Sequence, residues 1–145
     1  MKTLLTLFVL LFSSSVSSLV WGADFQKGLD AAIKGDYVTA LEEWIPLAKQ
    51  GHSESQYNLG VIYENGQGVS QDDLEAVKFY QSAAEQDHPQ AQYNLGLMYK
   101  NGKGVTQDYQ KALKWINLSA EHSYPPAHYM LGYMSVSYTH LRAHE

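Results

Sequence analysis

The sequence repeats itself with a period of 36 residues. Residues 56–72 align without a gap with residues 92–108, and both segments contain Leu-Gly-x-x-Tyr followed by Gly-x-Gly-Val-x-x-Asp. The register continues over residues 129–132 and ends at Ser135. A fixed period of about 20–50 residues indicates stacked units that bury their apolar faces only against one another. The chain is therefore predicted to form a solenoid.

Each period is predicted to contain two helices. Pro89 suits the first turn of a helix, and Asp72 and Asp108 suit the N-cap of the helix that follows each long loop. Asp72 and Glu75 also form a capping-box pattern. The predicted helices cover residues 25–34, 37–50, 55–64, 73–86, 90–100 and 109–121. No stretch shows the alternation of a strand, so the predicted fold is all-α, a right-handed superhelix of antiparallel helix pairs.

Glycines mark the long loops between paired helices. Gly66 and Gly102 are expected to end the first helices in the left-handed conformation, and Gly68 and Gly104 are expected to need a positive φ as well. Small residues at other repeated positions, such as Gly60, Gly96 and Ala76, are expected to let paired helices approach closely.

The N-terminal residues 1–22 resemble a secretory signal peptide. A lysine at position 2 precedes an apolar run of nine residues, Leu4–Phe12, which is followed by serines and small residues. A membrane-spanning helix needs about 20 apolar residues, and this run is too short for that. We therefore interpret the segment as a signal peptide that is cleaved near Gly22 or Ala23. The mature protein is then expected to be exported, to a bacterial periplasm or beyond, and not to span the membrane.

The last ten residues, 136–145, do not follow the repeat. These ten residues can be back-translated into the transposon-derived adapter used in sequencing libraries, read in frame. The codon of Ser135 would then be a hybrid of natural and adapter nucleotides. We interpret this segment as adapter read-through, so that residues 125–135 are the truncated start of another repeat. A genomic read that contains these ten codons would contradict this interpretation.

Composition excludes several classes of function. Ten basic against fifteen acidic residues give a net charge of −5, which is the wrong sign for a nucleic-acid interface. The chain has no cysteine, so thiolate nucleophiles, zinc fingers and disulfides are excluded. His122 and His128 lack a metal-ligand spacing, and His52 and His88 share a position at the start of a repeat that favours a capping role. No metal or cofactor is expected.

The motif Leu-Gly-x-x-Tyr, the Gly-x-Gly-Val-x-x-Asp loop and Lys-Ala-x-x-Trp at residues 111–115 together resemble the Sel-1-like repeat, a relative of the tetratricopeptide repeat. The resemblance covers residues 23–134, with a divergent helical hairpin at 23–52 and complete repeats at 53–88 and 89–124. Gly51 stands at the end of the first hairpin, where a glycine is expected. The equivalent positions one and two periods later are Asp87 and Ser123 instead.

The resemblance implies a non-enzymatic scaffold that binds a protein or peptide in the bacterial cell envelope. Its ligand would lie on the concave face that first helices line in tetratricopeptide relatives. In this chain the corresponding positions are Tyr57, Asn58, Val61, Glu64, Tyr93, Asn94, Leu97, Lys100, Tyr129 and Tyr133. Aromatic anchors and amides suit a peptide groove, although the tyrosines could equally be packing residues.

Two alternatives remain at this stage. The tyrosine-rich face could stack against glycan strands such as peptidoglycan. A β-lactam hydrolase is disfavoured, because the cysteines of the relatives associated with that activity are missing here. The loop from Gly66 to Gln71 lacks the third glycine and the preceding strand of a dinucleotide site, so it is interpreted as a helix connection. No catalytic residue is predicted.

Overall fold

The computed structural model describes residues 22–142, with side chains over residues 22–135. Within this range the chain forms seven α-helices and no strand. They are α1 (Phe25–Ile33), α2 (Tyr37–Lys49), α3 (Ser53–Asn65), α4 (Asp73–Ala84), α5 (Pro89–Asn101), α6 (Tyr109–Glu121) and α7 (Pro125–Arg142). Each helix packs chiefly against the next one in sequence, so the fold is the predicted all-α superhelix of helical repeats. The predicted signal peptide lies outside the described residues except for Gly22, and only the backbone of residues 136–142 is described in the C-terminal segment.

Side-chain caps fix where the helices begin. The Asp72 carboxylate accepts the Glu75 N–H at 3.0 Å, as the capping-box pattern predicts. The second half of that box does not form: the Asp72 N–H instead donates to the Tyr63 carbonyl at 2.9 Å, and Glu75 pairs with Lys78. His88 caps α5 by accepting the Ala91 N–H through Nδ1, at 3.3 Å.

The loop glycines adopt the predicted conformations. Gly66 and Gly102 end α3 and α5 with φ of 65° and 66°, and Gly68 and Gly104 also have positive φ. Asp87 and Ser123, which replace the expected glycine, take the same left-handed conformation, with φ of 60° and 61°. These two residues therefore carry a strain that glycine would not.

The repeat pattern fails first in α7. This helix has 18 residues, against 13 in each of α3 and α5, and runs through position 138. Tyr138 stands there in place of the glycine of the earlier repeats. Without a residue that favours the left-handed cap, nothing local ends the helix at this point.

Glycine notches allow the two helices of each hairpin to lie in close contact. A Cβ atom added at Gly60 would lie 2.5 Å from the ring of Tyr80, and one at Gly96 would lie 2.5 Å from Ile116. Tyr80 and Ile116 are fully buried, and so is Ala76, which lies one helical turn before Tyr80 on α4. Bulky side chains of the second helices thus fill spaces that glycines leave on the first helices.

Each glycine-rich loop also lies on the preceding repeat. Gly68 lies against Tyr37, the first residue of α2, and a Cβ at Gly104 would lie 2.2 Å from the backbone oxygen of Asp73, the first residue of α4. These two contacts are separated by one period of the sequence. The loops therefore join consecutive repeats as well as the helices of one hairpin.

Candidate binding face

We call the ten residues predicted to bind a ligand the first-helix face; they lie on α3, α5 and α7. The residues on α3 and α5 are all half-buried, whereas Tyr129 and Tyr133 on α7 are 78% and 56% exposed. The same register positions thus differ in exposure along the stack. Within the described residues no further helix packs beyond α7, which leaves its two tyrosines open.

Aromatic pairs run along the start of the first helices. Tyr57 stacks on His88 with ring centroids 4.8 Å apart, and Tyr93 meets Tyr124 edge-on at 5.5 Å. Phe25 packs on His52 in the equivalent place, at 5.0 Å. In each pair a ring of one hairpin contacts the residue that precedes the next first helix. The tyrosines therefore help to join the repeats, which is the packing role left open for them.

Some polar atoms of the face remain available all the same. Within the described part of the chain, the side-chain amide of Asn58 and the hydroxyls of Tyr57 and Tyr93 make no hydrogen bond, although all three residues are half-buried. Burial raises the pKa of both phenols, so these hydroxyls remain protonated donors over the physiological range. Donors and acceptors in this setting can meet the backbone of an extended peptide.

Glu64 is engaged within the protein. Its carboxylate accepts a hydrogen bond from the Tyr80 hydroxyl at 2.7 Å and another from the Lys103 ammonium at 3.2 Å. Partial burial opposes the charge on Lys103, but Glu64 and then Asp73 raise its pKa above the ordinary value. Burial and the bond to Glu64 also raise the pKa of Tyr80. This cluster joins two complete repeats.

Lys100 occupies the position of Glu64 one period later. Its ammonium lies 5.8 Å from the centre of the Tyr133 ring, a cation–π distance, and 3.5 Å from the Asn101 side chain. It forms no ion pair with any residue of the described range. With Glu64 neutralised by Lys103, Lys100 is the charge of the first-helix face that has no ion pair within the described residues.

Sequence reasoning missed four residues that complete this face. His88 and Tyr124 support the tyrosine rings, and Tyr80 and Lys103 hold Glu64. The 36-residue register did indicate that residues 88 and 124 are equivalent. It could not indicate the contact of Lys103 with Glu64, since the equivalent pair in the previous repeat is not charged.

Other kinds of site find little support in residues 22–135. No group of three His, Asp or Glu side chains there could hold a metal ion. An open depression of about 400 Å³ lies on α1 and the start of α2, away from the first-helix face, with lysines and carboxylates interspersed along it. No helix of the described range has the length and hydropathy needed to cross a membrane.

The family model described as "Sel1 repeat" matches residues 53–88, 89–124 and 125–136. The chain belongs to the Sel1 repeat family. Proteins built from Sel1 repeats are typically protein-interaction scaffolds and generally not enzymes. The three matched segments follow one another without a gap.

Two solved Sel1-type structures resemble this one. A Sel1 repeat protein from Oxalobacter formigenes superposes with a TM-score of 0.75 and 30% identity, over 79% of this chain and 47% of that chain. A protective antigen of uropathogenic Escherichia coli with an SLR fold gives a TM-score of 0.60 and 42% identity, over 61% of this chain and 19% of that one. Both are longer than the part that matches.

Among curated proteins, the exopolysaccharide production negative regulator of Rhizobium leguminosarum bv. viciae is 39% identical over 56 residues. The match covers 39% of this chain and 21% of the regulator. The chain therefore spans about half or less of the length of the relatives it matches.

Proposed function

We propose that this Sel1 repeat protein is a non-enzymatic scaffold of the bacterial cell envelope that binds an extended peptide segment of a partner protein on its first-helix face. The observation that carries the proposal is the set of half-buried polar groups without an internal partner, namely the Asn58 amide and the hydroxyls of Tyr57 and Tyr93. Half-buried amides next to aromatic rings supply both hydrogen bonds and apolar contact to a peptide. The export signal predicted at residues 1–22 supports the envelope as location.

The charges on this face define the peptide further. Glu64 is satisfied by Tyr80 and Lys103, whereas Lys100 makes no ion pair within the described range. A peptide that presents aromatic or aliphatic side chains and one carboxylate near Lys100 fits the face best.

The test is affinity capture from an envelope extract with the full chain as bait. The variant with both Tyr129→Ala and Tyr133→Ala removes two exposed rings that support no core, so it is expected to fold and to lose its partner. Leu74→Ala is the matched control, because Leu74 is 54% exposed on a second helix. Equal capture by both variants, with unchanged helicity, would exclude the first-helix face.

Location is tested separately from binding. Fractionation of cells that express the chain with a C-terminal tag should place it in the periplasm or the medium, shortened by about 22 residues. A full-length product in the cytosol would refute the export part of the proposal and leave the binding part standing.

A glycan is the second candidate ligand. The ring pairs Phe25–His52, Tyr57–His88 and Tyr93–Tyr124 favour it, because flat apolar ring faces can pack against sugars. Co-sedimentation with purified peptidoglycan separates it from a protein ligand. Nitrocefin turnover by the purified chain would contradict the non-enzymatic part of the proposal.

A further inference from the structure

The second helices of the hairpins change charge along the stack. Residues 36–44 contain three acidic residues and no lysine, residues 72–80 contain three acidic residues and one lysine, and residues 108–116 contain one acidic residue and two lysines. These segments are in register and cover the N-caps and first turns of α2, α4 and α6. Their net charge thus rises from −3 through −2 to +1. Of the three, the start of α6 is the one that suits an anionic partner.

In the middle repeat, the groups at the start of the second helix satisfy one another. Glu75 and Lys78 form an ion pair. Phe79 stacks on Tyr63, with ring centroids 5.5 Å apart and an angle of 18° between the rings. The carboxylate neutralises the ammonium, and the phenylalanine has no polar atom. This part of α4 therefore offers little to a charged ligand.

The same positions of α6 carry a different chemistry. Lys111, Lys114 and Trp115 occupy the places of that glutamate, lysine and phenylalanine one period later. The Lys111 ammonium lies 5.2 Å from the centre of the Tyr99 ring, and the Lys114 ammonium lies 5.4 Å from the Trp115 ring. Both are cation–π distances. Two exposed ammonium groups held on aromatic rings thus replace an ion pair.

Some donors of this surface have no internal acceptor. Asp108 offsets part of the charge of Lys111, since its carboxylate lies 3.7 Å from that ammonium. Lys114 forms no ion pair within the described part of the chain. The indole N–H of the half-buried Trp115 makes no hydrogen bond there either, whereas that of Trp44 donates to a backbone carbonyl at 3.2 Å. One ammonium and one indole N–H are therefore available to an acceptor outside the chain.

We propose that the lysine patch, formed by Tyr99, Lys111, Lys114 and Trp115, binds a short acidic segment of a partner protein. A carboxylate that accepts from the indole N–H and an ammonium forms charge-assisted hydrogen bonds, which are stronger than neutral ones. Exposed lysines alone form weak ion pairs, but here the rings hold them in place and so reduce the cost of ordering them. No residue of the patch belongs to the first-helix face, so the proposal is independent of the ligand bound there.

The acidic starts of α2 and α4 favour a short ligand over a long polyanion. A nucleic acid or an anionic polysaccharide that followed the stacked second helices would meet the carboxylates of residues 36–44 and 72–80. Glu42 is one of them, and it has no ion pair within the described residues. Like charges repel, so these helices limit an anionic ligand to the region of α6. A segment with a few carboxylates meets this limit.

The test is an NMR titration of the full chain with hexaglutamate at low ionic strength. The indole N–H signal of Trp115 and the amide signals of Lys111 and Lys114 should shift, and added salt should weaken the binding. The indole signal of Trp44 is an internal reference, because that ring is buried and its N–H is already bonded. Trp115→Phe removes the donor but keeps a ring, as in the middle repeat, and should weaken binding by about tenfold.

Two double variants separate the lysine patch from the overall charge of the chain. Lys111→Gln with Lys114→Gln should weaken hexaglutamate binding by about tenfold or more. Lys34→Gln with Lys49→Gln removes the same charge from two other exposed lysines and should change binding by less than about twofold. Equal losses in the two double variants, or no shift of the Trp115 indole signal, would overturn the proposal. Tighter binding of a short DNA duplex or of polygalacturonate than of hexaglutamate would overturn the assignment to a protein segment.

Discussion

Replacing Gly104 by alanine tests whether the loops really lock consecutive repeats together. The residue has a φ of +65°, and a Cβ there would lie 2.2 Å from the Asp73 backbone oxygen and 2.4 Å from its carbonyl carbon. Backbone atoms at the start of a helix cannot move aside as a flexible side chain can. The clash must therefore displace the loop from α4.

Two terms set the size of the effect. The left-handed conformation costs a non-glycine residue about 1–2 kcal/mol. Overpacking against fixed atoms costs a further 1–3 kcal/mol, roughly. Gly104→Ala should thus lower the free energy of unfolding by about 2–5 kcal/mol.

Gly35→Ala is the matched control. Gly35 has a φ of +80° but nothing within 4 Å of a Cβ atom, so it should lose only the conformational term of about 1–2 kcal/mol. The change in unfolded-state entropy is common to both substitutions and cancels. Urea unfolding followed by circular dichroism gives both values, and equal losses for the two variants would refute the loop-locking argument.

Three further predictions concern packing, strain and pH. Ala76→Leu should overpack the seam beside Tyr80 and lower the free energy of unfolding by about 1–3 kcal/mol, measured by the same urea titration. Ser123→Gly should raise the melting temperature, because glycine relieves the left-handed strain at φ 61°. Burial lowers the pKa of His88 while Glu54 opposes the shift, so folding favours the neutral ring, which caps α5 as an acceptor. The His88 contribution should be complete above about pH 6.5 and lost as the pH falls through the lowered pKa; His88→Asn should flatten this dependence in thermal melts from pH 5 to 8.

The period of the sequence was enough to predict the helices and the way they stack. Caps such as Asp72 and turns such as Gly66 act on backbone groups within a few residues, so their effect can be predicted without knowing the rest of the chain. The period also predicted the glycine notch at Gly60, because a small residue at a fixed place in each repeat points to close helix contact. These features depend on local geometry that every copy shares.

Contacts between repeats were decided by the tertiary structure. The half-formed capping box at Glu75 and the engagement of Glu64 by Lys103, 39 residues away, both depend on which groups packing brings within reach. The copies are not identical at these positions, so no period predicts the pairs. Which polar atoms of the first-helix face stay free, Asn58 but not Glu64, follows from distances across helices. The sequence by itself thus determined a stack of helical hairpins, and only its folding in space decided which side chains are left to meet a partner.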